Sequence, residues 1–330
     1  MSPFVHVLIL NWRTPEMTLK ACEATLKEME GIEGLITLLD NDSQDGSFEY
    51  LLTATFDMPR VRVVQTGRNG GFGAGNNHGI LSPLPGRPKV DYIYIQNSDA
   101  FPRAGAIRAL LKHLESHPRA GLAGSQLVDE GGLPQQTQFR FPSILSEFEG
   151  AARLGPVSRL LRRHALVHPI LPDSRPVDWL AGASLMIRAD ILSGIGLFDE
   201  RFFLYFEETD LCHRAVAAGV EVHFVKSSVV THAGSVSTGR DYWERVPAYW
   251  FDSRLHYFVK THGAAYAAAA TAAHVAGGLI HRLRCRLAGR PPEDPPGFLR
   301  QLIRHDMASL LPGRGSRRPG PRGTPAKGEI

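Results

Sequence analysis

Cysteine is scarce in this chain. Cys22, Cys212 and Cys285 are odd in number and far apart, with no CxxC spacing and no histidine in zinc-finger register beside them. A disulfide framework and a structural zinc site are thereby set aside, and a reducing compartment fits. Long hydrophobic runs are lacking too: no stretch reaches the about 18 uninterrupted, strongly apolar residues of a spanning helix. The nearest, Ala264 to Ile280, is mostly alanine, is interrupted by His274 and Gly277-Gly278, and runs into basic residues. No basic segment or long apolar region precedes the strand-like run Val5–Leu10, so no secretory signal is visible and a cytoplasmic protein is expected. No internal repeat is visible.

What is present is a globular composition. With 330 residues, 43% of them hydrophobic, the chain can bury a full core, enough for one large domain and an appendage. The formal net charge is +4, but the basic residues crowd the C-terminal third, from Arg282 to Arg286 and again from Arg314 to Arg322. Such a tail can meet an anionic membrane or nucleic acid, or be a solvated tail; of the two partners, the membrane is the one retained. Ala264–Arg286 reads either as a helix lying on a membrane surface, cations at the headgroups, or as a buried alanine-rich helix. Residues 312–330, dense in Gly, Pro and Arg, are expected to be disordered.

Apolar runs alternate with helical patterns: Val5–Leu10 then Thr14–Glu30, Leu35–Leu39 then Ser47–Phe56, Val61–Gln65 then Gly71–Leu81, Tyr92–Gln96 then Ala104–His117. This rhythm predicts a doubly wound, mostly parallel α/β sheet over the first 120 or so residues, binding its ligand at the strand C-termini. Those ends carry Asn11-Trp12, Asp40-Asn41-Asp42, Gly67-Arg68-Asn69 and Asn97-Ser98-Asp99. Each alone is compatible with turn chemistry, the better reading for Asp45-Gly46-Ser47, but four on one edge suggest a site. Further on, one helix is expected over 143–162 and a strand rejoining the sheet over 179–187. Short strands are expected at 221–225 and 228–231, and an amphipathic helix at 242–262.

The loop Asn69-Gly70-Gly71-Phe72-Gly73-Ala74-Gly75-Asn76-Asn77 follows a strand and opens a helix, where glycines let a backbone approach phosphate. A nicotinamide-dependent Rossmann oxidoreductase is one alternative. Against it, the spacing is G-x-G-x-G, the loop follows the third strand, and Asp91, about 20 residues on, starts a strand instead of ending one.

Three carboxylates, Glu207, Glu208 and Asp210, follow the aromatic run Phe202–Phe206. Apolar surroundings raise carboxylate pKa values, as a general base requires, while Asp99 at a strand end suits a hard cation carrying a diphosphate. The plain alternative for 207–210 is a solvated first helical turn, where acids are favoured by the dipole.

Taken in order, Leu8–Trp12, Leu39–Ser47, Asn69–Asn77, Asn97-Ser98-Asp99, Trp179–Ala183 and Phe206–Arg214 resemble the family-2 inverting glycosyltransferases, in particular their bacterial rhamnosyltransferase-like branch, across residues 4–262. The resemblance implies a GT-A fold over 1–262, with a nucleotide-sugar half at about 1–125 and an acceptor half at about 126–262. A helical, membrane-peripheral segment would follow at 263–290 and a disordered tail at 291–330. It implies transfer of a hexose, first of all L-rhamnose, from a dTDP- or UDP-sugar to a glycan or lipid-linked acceptor in cell-wall or surface polysaccharide biosynthesis. The work would be done at the inner face of the plasma membrane with Mg²⁺ or Mn²⁺.

Carried over residue by residue, Asn11, Asp40, Asn41, Asn69, Gly71, Phe72, Asn76, Asn97 and Asp99 would hold the nucleotide sugar, Asp40 reading the pyrimidine edge. Asn97-Ser98-Asp99 stands where the family has DxD, so the metal would rest on Asp99 and His232. Glu208 stands at the base position, where Asp is commoner, with Asp210 as second choice and Glu207 orienting the pair. Trp179, Gly182, Ala183 and Arg140 would face the acceptor. The change from DxD also leaves open a catalytically inactive glycan-binding homologue.

Overall fold

The computed structural model describes residues 2–86, 89–234 and 244–310. Its first half alternates as the apolar runs predict: β1 (Val5–Asn11), α1 (Pro15–Glu28), β2 (Gly34–Asp40), α2 (Ser47–Ala54), β3 (Val61–Gln65), α3 (Gly71–Leu81), β4 (Tyr92–Asn97), β5 (Ala100–Pro102), α4 (Ala106–Ser116) and β6 (Ala120–Val128). β3, β2, β1 and β4 lie side by side and parallel, so their C-terminal ends share one edge. β1 and β6 are buried almost throughout, which is why their sequences carry no polar alternation.

The second half departs from the expected boundaries. After β7 (Gln138–Phe139), the single helix expected over 143–162 is two, α5 (Ile144–Ala152) and α6 (Gly155–Leu160). Arg153 takes a left-handed C-cap at φ 46°, and Pro156 suits only the first turn of a new helix. Then come β8 (Arg175–Val177), β9 (Trp179–Leu180) and β10 (Ser184–Arg188), so the run 179–187 is interrupted at 181–183. β10 inserts antiparallel between β4 and β6, while β9 pairs with β7. α7 (Leu192–Ile195) and α8 (Glu207–Ala217) lead to β11 (Glu221–His232), one long strand in place of two. Its bulge lies between Val225, opposite Ser125, and Val229, opposite Gln126. The sheet order is β3-β2-β1-β4-β10-β6-β11-β5, with β8 also on β11.

α9 (Ala248–His262), α10 (Ala264–Leu287) and α11 (Phe298–Leu310) complete the described chain. Pro247 sets the start of α9, later than expected; 242–243 and 312–330 lie outside the described residues. Among those residues, no helix is long and apolar enough to cross a membrane.

The chain divides into two compact units. One comprises residues 1–139, 169–203 and 207–238 and contains the sheet, with Val7, Ile9, Ile36, Leu38, Tyr94 and Met186 in its core. The other gathers 140–168, 204–206 and 239–330, so α5 and α6 belong with α9–α11. There α10 lies so close to α5 that a Cβ on Gly277 would stand 2.6 Å from the Phe148 carbonyl oxygen. Arg254, fully buried, bonds Glu147 at 2.7 Å and Asp306 at 3.1 Å, and His274 (to Glu147) and His305 (to Asp306) complete a charged network across α5, α9, α10 and α11.

Candidate active site

The shared C-terminal edge of β1, β2 and β4 is built from interlocked amides and carboxylates. Asn11, buried at the end of β1, donates to Asp40 Oδ1 at 2.8 Å and accepts from Thr18 Oγ1 at 2.8 Å, tying α1 to the edge. Asp40 also accepts from the Ser43 hydroxyl (2.6 Å) and backbone N–H (3.1 Å). Of the four or so lone-pair sites of a carboxylate, one on Oδ2 remains. Asn41 donates to Asn69 Oδ1 at 3.0 Å, and the same oxygen takes the Gly71 N–H. Ser43 and Arg13, which stacks its guanidinium 4.8 Å from the Trp12 ring, are parts of this edge that sequence reasoning missed. The D-N-D-S run pointed to the first; nothing pointed to the second.

The glycines of α3 serve packing. Gly71 sits at φ +86°, and a Cβ there would stand 1.8 Å from the Phe203 carbonyl oxygen, which accepts from Phe72 N–H at 3.0 Å. Gly75 and Gly79 let α3 settle on Leu10, Leu8 and Leu39. The backbone thus approaches other protein segments closely, where the sequence suggested an approach to phosphate. Phe72 meets Phe198 edge-on at 6.1 Å. Asn76 donates to Phe72 O, while its buried Oδ1 has no hydrogen-bond partner among the described residues.

Asn97-Ser98-Asp99 makes the turn between β4 and β5. Asp99 Oδ1 lies 3.3 Å from His232 Nε2 at the far end of β11, and Asn97 Nδ2 lies 3.5 Å from the same nitrogen. Gln135, not anticipated from sequence, donates through Nε2 to His232 O at 3.1 Å and so presents Oε1 to His232 Nδ1 at 3.4 Å. Nδ1 therefore carries the ring hydrogen in the neutral imidazole, and the Nε2 lone pair faces Asp99, an arrangement suited to a cation or proton between them. Among the described residues no cluster of three or more His, Cys, Asp or Glu is set to hold a metal, so the protein offers two donors here.

The carboxylates open α8, behind Tyr205 and Phe206, both left-handed at φ 68° and 69°. Two consecutive aromatic residues in that region cost about 1–2 kcal/mol each, strain of a kind that collects at functional sites. Far from being a solvated turn, Glu207, Thr209 and Asp210 are buried and Glu208 is half-buried. Glu207 Oε2 and Glu208 Oε2 are closed off without a hydrogen-bond partner among the described residues. Burial, then the neighbouring Glu208, pushes the Glu207 carboxyl well above its usual range. Burial raises Glu208 to about 6, offset in part by its own N–H and that of Gly182. Asp210 instead accepts from Arg214 at 2.8 Å, whose guanidinium also binds the carbonyls of Ile195 and Leu197, fixing the chain that leads into Phe198.

The loop 181–183 joins these parts. A Cβ on Gly182 would lie 3.2 Å from the Phe72 ring and 3.9 Å from Glu208 Oε1, and Ala183 O accepts from Asn97 N–H at 3.1 Å. Glu208, Phe72, Gly182, Asn97, Asp99 and His232 are thus brought together. Trp179 stacks on Phe139 at 4.3 Å. Arg140 belongs to the helical unit and donates to Ala165 O at 2.8 Å; Arg68 pairs with Glu200 on the surface.

Comparison with known proteins gives consistent results. The family model described as glycosyl transferase family 2 matches residues 11–165. Over 218 residues, 62% of this chain and 68% of the relative, the sequence is 34% identical to an N-acetylglucosaminyl-diphospho-decaprenol L-rhamnosyltransferase of Mycobacterium tuberculosis. A rhamnosyltransferase of Escherichia coli is 28% identical over 165 residues, 49% of this chain and 60% of the relative. Among solved structures, GalNAc-T7 with UDP, GalNAc and Mn²⁺ superimposes with a TM-score of 0.58 at 12% identity, covering 92% of this chain but only 55% of that one. A mannosyltransferase of Pyrobaculum calidifontis with GDP-Man and Mn²⁺ gives 0.53 at 13% identity, covering 94% and 88%. These likenesses establish a GT-A-like fold.

Proposed function

We propose, because this chain belongs to the family 2 glycosyl transferases and to their rhamnosyltransferase-like branch, that it transfers a hexose, L-rhamnose in the first instance, with inversion, from a dTDP- or UDP-sugar to a hydroxyl of a glycan or lipid-linked acceptor. The observation that carries the reading is the contact of the half-buried Glu208, poised near pH 6, with Gly182 beside Asn97 and Asp99. In this reaction Glu208 takes the proton of the acceptor hydroxyl as its oxygen bonds the anomeric carbon, and the bond to the nucleoside diphosphate breaks on the opposite face. Glu207, whose carboxyl burial and then the neighbouring Glu208 push well above its usual range, disfavours a second negative charge beside the base, and Asp210 positions α8 through Arg214.

Asn11, Asn41 and Asn69 frame the nucleoside, and the remaining lone pair of Asp40 Oδ2 suits a pyrimidine N–H. Gly71 and Phe72 shape the floor, and Asn76 Oδ1 offers an acceptor to the donor sugar. Trp179, Gly182 and Ala183 are assigned to the acceptor. Asp99 and His232 would hold a divalent cation, Mn²⁺ better than Mg²⁺ given the imidazole. Such an ion supplies neutralisation of the departing diphosphate. Mn²⁺ in the neighbouring structures supports this reading.

The lipid-linked acceptor is supported by α10. Its outer face exposes Leu279, Leu283 and Leu287, with the exposed Arg286 nearby, suited to an anionic membrane surface on the cytoplasmic side.

Nucleotide release from a panel of nucleotide sugars, with Mn²⁺, Mg²⁺ or chelator, tests the assignment. One donor turned over in a metal-dependent way, and lost in Asp99→Ala, is the expected result. No release with any donor in the presence of a crude lipid acceptor would remove it.

A further inference from the structure

Asn77, next to Asn76 on α3, has a different set of partners. Buried, it accepts from the Phe198 N–H through Oδ1 at 3.0 Å and donates through Nδ2 to the Phe198 carbonyl oxygen at 2.9 Å. One side-chain amide thus satisfies both backbone groups of a residue 121 positions along the chain. Nδ2 also donates to Glu200 Oε1 at 3.2 Å, and the other oxygen of Glu200 takes Arg68. Among side chains of this size only an amide can do this, since a carboxylate has no donor and a hydroxyl has a single hydrogen.

Phe198 stands behind the surroundings of Glu208. Itself buried, it meets the Phe72 ring edge-on, the ring planes at 79°. A Cβ on Gly73 would stand 3.0 Å from the Phe198 Cβ and 3.7 Å from the Glu207 Cβ, so the same turn of α3 packs on Phe198 and on the first residue of α8. Phe72 in turn backs Gly182, whose N–H bonds Glu208. Arg214 of α8 donates to the carbonyls of Ile195 and Leu197. Residues 195–198 are therefore pinned from α8 by a guanidinium and from α3 by an amide. Buried polar contacts that are fully satisfied rigidify the groups they join.

We propose that Asn77 is a positioning residue for Glu208: it fixes Phe198, Phe198 fixes the Phe72 ring, and Phe72 with Gly182 keeps water from the carboxyl. Its effect on turnover rests on Glu208 being the base; its effect on the carboxyl itself does not. With alanine at 77, the Phe198 N–H and carbonyl lose their partner, the hold of α3 on 195–198 is released, and the edge contact on Phe72 loosens. Water then reaches Glu208 more freely. Hydration favours the charged form, so the carboxyl titrates at a lower pH.

Carbon NMR titration of the side-chain carboxyls in the full chain tests the proposal, comparing the parent protein, Asn77→Ala and Phe198→Leu, with Glu208→Gln identifying the resonance. Glu208 is expected to titrate at about 6 in the parent and about half to one pH unit lower in both variants. The pH limb of kcat/KM should move with it, and kcat above the limb should fall about tenfold or more while nucleotide affinity stays within about twofold. A general loss of stability would leave the limb where it is. Phe198→Leu carries the test if Asn77→Ala does not fold. A carboxyl that shifts while the limb stays put upholds the positioning and removes Glu208 as the base. A carboxyl that titrates at the same pH in the parent and in the folded variants overturns the positioning, whatever the limb does.

Discussion

Glu208 is held near pH 6 by burial, with two backbone N–H groups opposing the shift. The base must be ionised, so kcat/KM should rise with pH through about 6 and level above it. Glu208→Gln should remove that limb and lower kcat about 10²–10⁴-fold while nucleotide affinity stays within about twofold; isothermal titration alongside a turnover assay checks both. The same burial has a stability cost of opposite sign. A carboxyl whose folded pKa is raised stabilises the fold below its unfolded value of 4.5, and that contribution is lost as pH rises through about 6. Glu208→Gln should therefore raise stability at pH 8 by about 1–2 kcal/mol, measured by denaturant titration. Sequence made Asn11, Asp40, Asn69, Asp99 and Glu208 legible because each sits at a strand end or helix start, where residue type and position speak together. It could not show Gln135 or Arg13, whose partners, His232 and Ser43, lie far along the chain.

At the scale of elements, α3 shows what its glycines do. Gly71→Ala puts a Cβ against the Phe203 carbonyl at a left-handed φ and should cost about 2–4 kcal/mol. Gly67→Ala, equally left-handed but with open space around it, should cost only about 1–2 kcal/mol. The difference between the two unfolding free energies separates clash from backbone strain. The early βαβ rhythm was readable because buried parallel strands announce themselves as apolar runs. The later elements were not, because a single residue decides each: Arg153 accepts a left-handed cap and divides one expected helix, and the β11 bulge joins two expected strands.

At the scale of the molecule, the helical unit rests on a buried charge network. Arg254→Met should cost about 3–5 kcal/mol, since it strands Glu147 and Asp306. Glu147, which Arg254 and His274 hold down at about 2 against burial, contributes stability above 4.5 that fades as pH falls towards 2. His305, raised to about 9 by Asp252 and Asp306 against burial, contributes below 6.5 and fades as pH rises through 9. Thermal unfolding across pH should show a plateau between those limits, and Arg254→Met should flatten its acid side.

The helical unit is also discontinuous along the chain, and biosynthesis meets its pieces in order. The end of α5 leaves the ribosome 112 residues before the start of α10 (264 − 152). At about 5–20 residues per second, that face waits roughly 6–22 s for its cover. During synthesis, α5 is a nascent apolar surface whose partner does not yet exist, so chaperone demand should concentrate in that interval. A chain ended at 262, the boundary that sequence alone suggests, would make the interval permanent.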